Sequence, residues 1–245
     1  MFKLKPSQCI NLSAFSVGPW RAKGPKMQAV GCAEKPHDPT ISLMASAASG
    51  NAAGVRAALA EGASLDALSP EGEPPLHLAV LASSLECVKV LLDKGAEVDQ
   101  EDRSGRTALV LAVTKSGSVE VAQALLDGGA ELDRETGYPG GTRTALHLAC
   151  ESVEDVALLL LTRGANTHKP VRDWFDHGWL PLHKAAARGF LKAVRAIVAK
   201  GGHGADLNAL CVVDYQCGPN KTPLDLAEGN VEMVALLESL AKQPR

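Results

Sequence analysis

Aromatic residues are scarce in this chain, at 4% of 245 positions. An interior with so few rings must be filled by small and aliphatic side chains, which suits thin helical layers better than a bulky sandwich core. Long hydrophobic runs are also missing. No stretch approaches the roughly 20 apolar residues that a membrane-spanning helix needs, so no membrane association is expected. The six cysteines, Cys9, Cys32, Cys87, Cys150, Cys211 and Cys217, include no Cys-x-x-Cys pair. The start of the chain has no leader with an apolar middle section, so reduced thiols in the cytoplasm, or in the nucleus, are the expectation.

The sequence motifs of catalysis are absent as well. There is no Gly-x-Ser-x-Gly elbow, no phosphate-binding glycine loop ending in Lys-Ser/Thr, no His-Glu-x-x-His and no kinase set, so neither an enzyme nor a cofactor is expected. Gly201-Gly202-His203-Gly204 is glycine-rich but follows a helical stretch rather than a strand, which is the wrong context for a phosphate loop.

Negative charge is withheld from the beginning of the chain, where the first acidic residue is Glu34. Residues 1–40 carry a net +4, which leaves −7 for the remainder of a chain whose total is −3. An acidic body lacks the basic face that phosphate-backbone binding requires, so nucleic acid is not an expected partner. The first forty residues also lack hydrophobic periodicity and contain five prolines, from Pro6 to Pro39, which predicts a mostly disordered tail. They share the acid-poor, serine-containing character of organelle transit peptides, yet hold a single arginine and no clear amphipathic helix.

What the sequence does contain is repetition. One phrase returns five times: Pro75-Leu76-His77-Leu78-Ala79, Ala108-Leu109-Val110-Leu111-Ala112, Ala145-Leu146-His147-Leu148-Ala149, Pro181-Leu182-His183-Lys184-Ala185 and Pro223-Leu224-Asp225-Leu226-Ala227. The closing alanines lie 33, 37, 36 and 42 residues apart. Such a period predicts stacked helix pairs rather than one core around a cleft. The phrase opens a first helix. After a turn at Ser83-Ser84, the residues Cys87, Val88, Leu91 and Leu92 give a second helix its apolar stripe, and Gly95 stands where a left-handed cap is needed. Thr107, Thr144 and Thr222 suit N-caps, and Pro75, Pro181 and Pro223 suit the first helical turn.

The phrase, the second-helix patterns Val88-Lys89-Val90-Leu91-Leu92 and Ala122-Gln123-Ala124-Leu125-Leu126, and the finger starts Gly95-Ala96-Glu97-Val98-Asp99 and Gly129-Ala130-Glu131-Leu132-Asp133 together resemble the ankyrin repeat family. The resemblance covers about four-fifths of the chain. It implies an all-α solenoid of helix-turn-helix repeats with β-hairpin-like fingers, over residues 41–242, in about six units: 41–72, 73–105, 106–141, 142–178, 179–218 and 219–242. The first and last units are degenerate, as end caps of a stack need to be.

The spacing excess is expected chiefly in the connections, as enlarged fingers at Glu135–Gly141, His168–Gly178 and Leu210–Asn220. Five of the nine aromatics lie in or directly beside these segments: Tyr138, Trp174, Phe175 and Tyr215 within them, and Trp179 next to Gly178. Two readings stay open for them. They form an anchor for a partner, or they fold back as plugs on their own helices, the second being favoured for Trp179 beside the buried phrase. The resemblance implies that His77, His147 and His183, inside the phrase, are structural and hold the turn. His168, His177 and His203 have no fixed helical offset, and the spacing of Cys211 and Cys217 matches no common zinc motif, so no metal site is expected. Cys87 and Cys150 read as inert core residues, and Glu151, Glu154 and Asp155 as a solvated helix rim.

The resemblance further implies a non-enzymatic adaptor or regulator, acting as a monomer, that binds another protein through a concave surface of fingers and first helices. On this sequence the strip comprises Leu81, Lys115, Glu151 and Arg188 from the first helices. The fingers add Gln100, Arg103, Arg106, Tyr138, Trp174, Phe175 and Tyr215. A different implication is a regulatory fragment or subunit of a multidomain enzyme, channel or ubiquitin ligase, although no second domain is legible after Leu240.

Overall fold

The computed structural model describes residues 38–138, 141–173, 178–201, 207–209 and 221–242. Most of the expected N-terminal tail, the finger aromatics Trp174, Phe175 and Tyr215, and the residues His177, His203, Cys211 and Cys217 lie outside these residues.

Asp38 accepts a hydrogen bond from the Thr40 N–H and so caps α1 (Pro39–Ala48), which is followed by α2 (Ala52–Ala60). The pairs α3 (Pro75–Leu81) with α4 (Leu85–Asp93), α7 (Ala145–Ser152) with α8 (Glu154–Arg163), and α9 (Pro181–Arg188) with α10 (Leu191–Gly201) repeat this plan. In the third unit α5 (Ala108–Leu111) runs into a π-helical turn over Ala112–Ser116 before α6 (Val119–Asp127). Short α11 (Pro223–Leu226) and α12 (Val231–Ala241) form the last described pair. The first helices α1, α3, α5, α7, α9 and α11 contact one another in series, and the second helices do the same in a second layer. The described fold is therefore an all-α solenoid, as the repeated phrase implied.

The phrase works through its leucine and its last alanine. Leu76, Leu109, Leu146 and Leu182 are at most 2% exposed, whereas Leu224 in the last pair is 39% exposed. Burying each leucine contributes about 1.5–3 kcal/mol, and a helix of some ten residues that is marginal alone is held by that burial between neighbours. Alanine follows because the helices come close: Ala79, Ala112, Ala149 and Ala185 are fully buried. Side chains of Asn51, Ser84, Thr107, Ser118 and Asn230 accept from backbone N–H groups one turn on, satisfying donors that a helix start leaves unpaired.

One residue of the extra length lies inside a first helix rather than in a finger. Ten positions separate the caps Pro74 and Ser84, but eleven separate Thr107 from Ser118. The third unit absorbs the added residue inside its first helix as the π-helical turn. Thr114 and Ser116 donate their hydroxyls to the Val110 and Ala112 carbonyls, at 2.8 and 2.9 Å, and Gly117 closes the turn in the left-handed region at φ +59°. The fourth unit is one residue short, with nine positions from Thr144 to Val153. Surplus and deficit meet: a Cβ on Gly117 would lie 3.3 Å from Val153 Cγ2.

The enlarged third finger is a hairpin of β1 (Thr136–Tyr138) and β2 (Gly141–Arg143), and β2 also pairs with β3 (Arg172–Asp173) from the fourth finger. Both pairings are antiparallel, with Thr136 opposite Arg143 and Thr142 opposite Arg172. Two fingers are thus joined into one small sheet beside the first helices of the fourth and fifth units.

Candidate functional site

The phrase histidines are spent on the stack. His183 Nδ1 accepts from the Leu180 N–H at 3.0 Å, and its Nε2 bonds the Ala209 carbonyl at 2.9 Å in the next connection. His147 Nδ1 accepts from the Thr144 N–H. His77 Nε2 reaches the Arg106 carbonyl at 2.9 Å, but its Nδ1 has no partner, because the residue at the matching cap is Pro74, which has no N–H. Asp225 takes over the near-side bond in the last phrase, accepting from the Thr222 N–H at 2.8 Å. Burial pushes His147 down to about 4, against the raising influence of the Lys169 and Trp179 backbones, so the ring is neutral in the folded chain at pH 7. Burial also lowers His77, opposed by its bond to Arg106.

Val110 replaces histidine in the third phrase. The carbonyl that a histidine would reach, that of Arg143, instead accepts from the buried Thr136 hydroxyl at 3.0 Å. Cys150 lies in the core, where burial pushes its thiol up to about 12 and leaves it protonated and unreactive. Among the described residues no three His, Cys, Asp or Glu side chains are placed to hold a metal ion.

The expected binding residues fall into three groups. Lys115, Arg103 and Arg188 are exposed, Lys115 on the π-helical turn, and Gln100 is half-buried. Arg106 is largely occupied within its own finger: buried Asp102 accepts from the Arg106 N–H, Nε and Nη2, the last at 2.7 Å. Burial alone would raise the Asp102 pKa, but these bonds and the Ser104 N–H hold it below the usual carboxylate range. Arg103 lays its stem across Gly72 of the preceding finger. A Cβ at Gly72 would fall 2.3 Å from Arg103 Cγ, and φ is +84°, so this contact requires glycine. Tyr138 ends β1, while Trp174, Phe175 and Tyr215 lie outside the described residues.

Glu151 and Glu154 are not a solvated rim, contrary to the sequence expectation. Glu154 Oε1 accepts from the Lys192 and Ala193 N–H groups at 2.8 and 3.2 Å. It supplies the N-terminal acceptor that Phe190, at the start of α10, has no side-chain oxygen to provide. Half-buried Glu151 is held between Lys184 Nζ at 2.5 Å and Arg143 Nη1 at 3.4 Å.

These last residues line a cleft of about 380 Å³ formed by Arg143, Glu151, Trp179, Lys184, Ala187 and Arg188. Arg143 comes from the finger sheet, Glu151 from α7, and Lys184, Ala187 and Arg188 from α9. Trp179 is 8% exposed and packs with Val171 in a small core of its own, the plug reading favoured for it. Its ring also supports Lys184, whose ammonium lies 4.2 Å from the ring centroid. Lys184 was not singled out in the sequence, although it stands where leucine occupies the other four phrases. A lysine at a phrase position expected to be apolar was the available signal.

Paired helices stacked in two layers, with fingers on the first-helix side, define a helical repeat protein whose distinctive groups gather along fingers and first helices. The chain belongs to the ankyrin repeat family: the family pattern for ankyrin repeats in three copies matches residues 43–136, and the single ankyrin repeat matches 142–171 and 177–211. Similar proteins include the nuclear factor NF-kappa-B p105 subunit of Gallus gallus, 39% identical over 175 residues, which covers 66% of this chain and 14% of that protein. The B-cell lymphoma 3 protein homolog of Mus musculus is 30% identical over 185 residues, 74% of this chain and 40% of that protein. Protein phosphatase 1 regulatory subunit 27 of Mus musculus is 49% identical over 49 residues, 20% of this chain and 32% of that protein. The chain spans less than half the length of each. Membership of this family supports a protein–protein interaction module.

Proposed function

We propose that the chain is a non-enzymatic adaptor or regulator that binds a partner protein along the strip formed by its fingers and first helices. The supporting observation is where its irregular features gather. The finger sheet, the cleft of Arg143, Trp179, Lys184 and Arg188, and the exposed Lys115 all lie on the first-helix side, away from the second-helix layer. In this reading the enlarged fingers supply selectivity, with Trp174 and Phe175 as anchors. The module acts as a monomer in the cytoplasm, and the acidic body keeps nucleic acid away.

A second reading is that it serves as the regulatory part of a larger assembly. It is favoured by similarity to a protein named as a phosphatase regulatory subunit and by the fraction of each relative that the match covers.

Affinity capture tests the proposal by comparing the parent with a variant carrying Trp174→Ala, Phe175→Ala and Lys115→Ala. The variant is expected to melt like the parent and to lose the principal captured protein. An unchanged set of captured proteins from an equally stable variant would sink it.

A further inference from the structure

The cleft between the finger sheet and α9 has a chemical bias that goes beyond protein binding in general. Of its six lining residues, three are cations and one is an anion. That single carboxylate, Glu151, is already shared by Lys184 and Arg143. Lys184 is 7% exposed, and its ammonium is further fixed by the Trp179 ring. Its position is therefore set before any partner arrives. Arg188, at the last turn of α9, is exposed and makes no ion pair among the described residues. Ala187 beside it presents only a methyl group, which leaves the mouth of the cleft open to a side chain from outside.

Resting on the proposed binding role, we infer that this cleft receives an acidic side chain, glutamate or aspartate, from a segment of the partner protein. A second carboxylate entering beside Glu151 meets the planar fork of Arg188, which can donate two parallel N–H bonds to it. It also enters the positive field of Lys184 and Arg143, whose long side chains are already ordered by Glu151 and Trp179. Little conformational freedom remains to be lost on binding, and preordered charges of this kind set register and specificity. The surrounding body, at a net −7 after residue 40, repels an extended polyanion such as nucleic acid. A single acidic residue in a mostly neutral segment fits a local positive cleft on an acidic body.

The test uses fluorescence anisotropy on the full chain with a fluorescein-labelled peptide carrying one glutamate in an otherwise neutral segment, its glutamine counterpart, its phosphoserine counterpart and a short single-stranded DNA. The glutamate peptide should bind more tightly than the glutamine peptide and the DNA. Arg188→Glu should weaken it by about tenfold, the scale of one lost charge-assisted bond. Arg188→Lys should keep part of the binding, because it retains the charge and loses the fork. Arg195→Glu, an equal change of net charge on exposed α10, should leave binding at the parental level, and all variants should melt like the parent.

Equal losses from Arg188→Glu and Arg195→Glu would overturn the inference, since the effect would then be one of net charge. It is equally overturned by no preference for glutamate over glutamine, or by preference for the phosphoserine peptide or the DNA. Such a result alongside loss of the captured partner in the Trp174, Phe175 and Lys115 variant would leave the binding role standing and remove only its acidic chemistry.

Discussion

The histidine of the repeated phrase shows how one side chain serves two units. In His183, Nδ1 satisfies the cap N–H of its own helix and Nε2 holds the next connection, whereas His147 makes the cap bond through Nδ1 and His77 the onward bond through Nε2. The role requires a neutral ring, because a protonated Nδ1 cannot accept. His147 is held to about 4 in the folded chain and returns to about 6.5 when unfolded, so the unfolded state binds the extra proton between these values. Its contribution to stability is therefore complete above pH 6.5 and is lost as the pH falls toward 4, by up to roughly 3 kcal/mol. Thermal melts across that window should show the loss, with a smaller slope in His147→Gln, whose amide can still accept from Thr144. Equal slopes in the two proteins would count against this assignment. The structural role of these residues was legible from the resemblance of the phrase to the ankyrin repeat. Glu154 was not, because its partners, Lys192 and Ala193, stand almost forty positions further on and only folding brings them near.

At the scale of elements, the sequence spacing identified the helix pairs because apolar period, caps and prolines agreed at each start. One inserted residue falls outside the connections, where most of the excess was expected. A residue added between Thr107 and Ser118 could equally lengthen the turn between helices, and the structure takes it up as a π-helical turn closed by Gly117, which packs beside Val153 of the next unit. The finger sheet was half legible. Extra length at Glu135–Gly141 suggested a hairpin, but its pairing with Arg172 and Asp173 joins two fingers that the sequence presents separately. The start of α10 depends on the fourth unit in the same way. Glu154→Ala should cost about 1 kcal/mol and speed hydrogen exchange at the Lys192 and Ala193 amides, while Glu154→Gln should keep part of both. Unchanged exchange at these two amides would mean that the carboxylate does not cap α10.

For the whole molecule, the stack explains why so regular a sequence produces a specific surface. Regular positions are consumed by the core, as the burial of Leu76, Leu109, Leu146 and Leu182 shows. Distinction accumulates where the phrase is broken: Lys184 for an apolar residue, Val110 for histidine, and fingers longer than the period requires. Glu151 and Arg188 were picked out by counting along each phrase, yet the count could not reveal that Glu151 faces inward to Lys184 and Arg143 while Arg188 remains open. Side-chain direction at the end of a short helix follows from the neighbouring unit.

In the proposed role, partner contact runs along the fingers and first helices and not along the second-helix layer. Site-specific photo-crosslinking tests it most directly, with the same crosslinker placed in turn at Arg188 on α9 and at Arg195 on α10. Crosslinking of the captured partner from position 188, at least tenfold above that from position 195, is the predicted result, tenfold being roughly 1.4 kcal/mol of preference. Equal crosslinking from the two positions, or more from position 195, would contradict the claim.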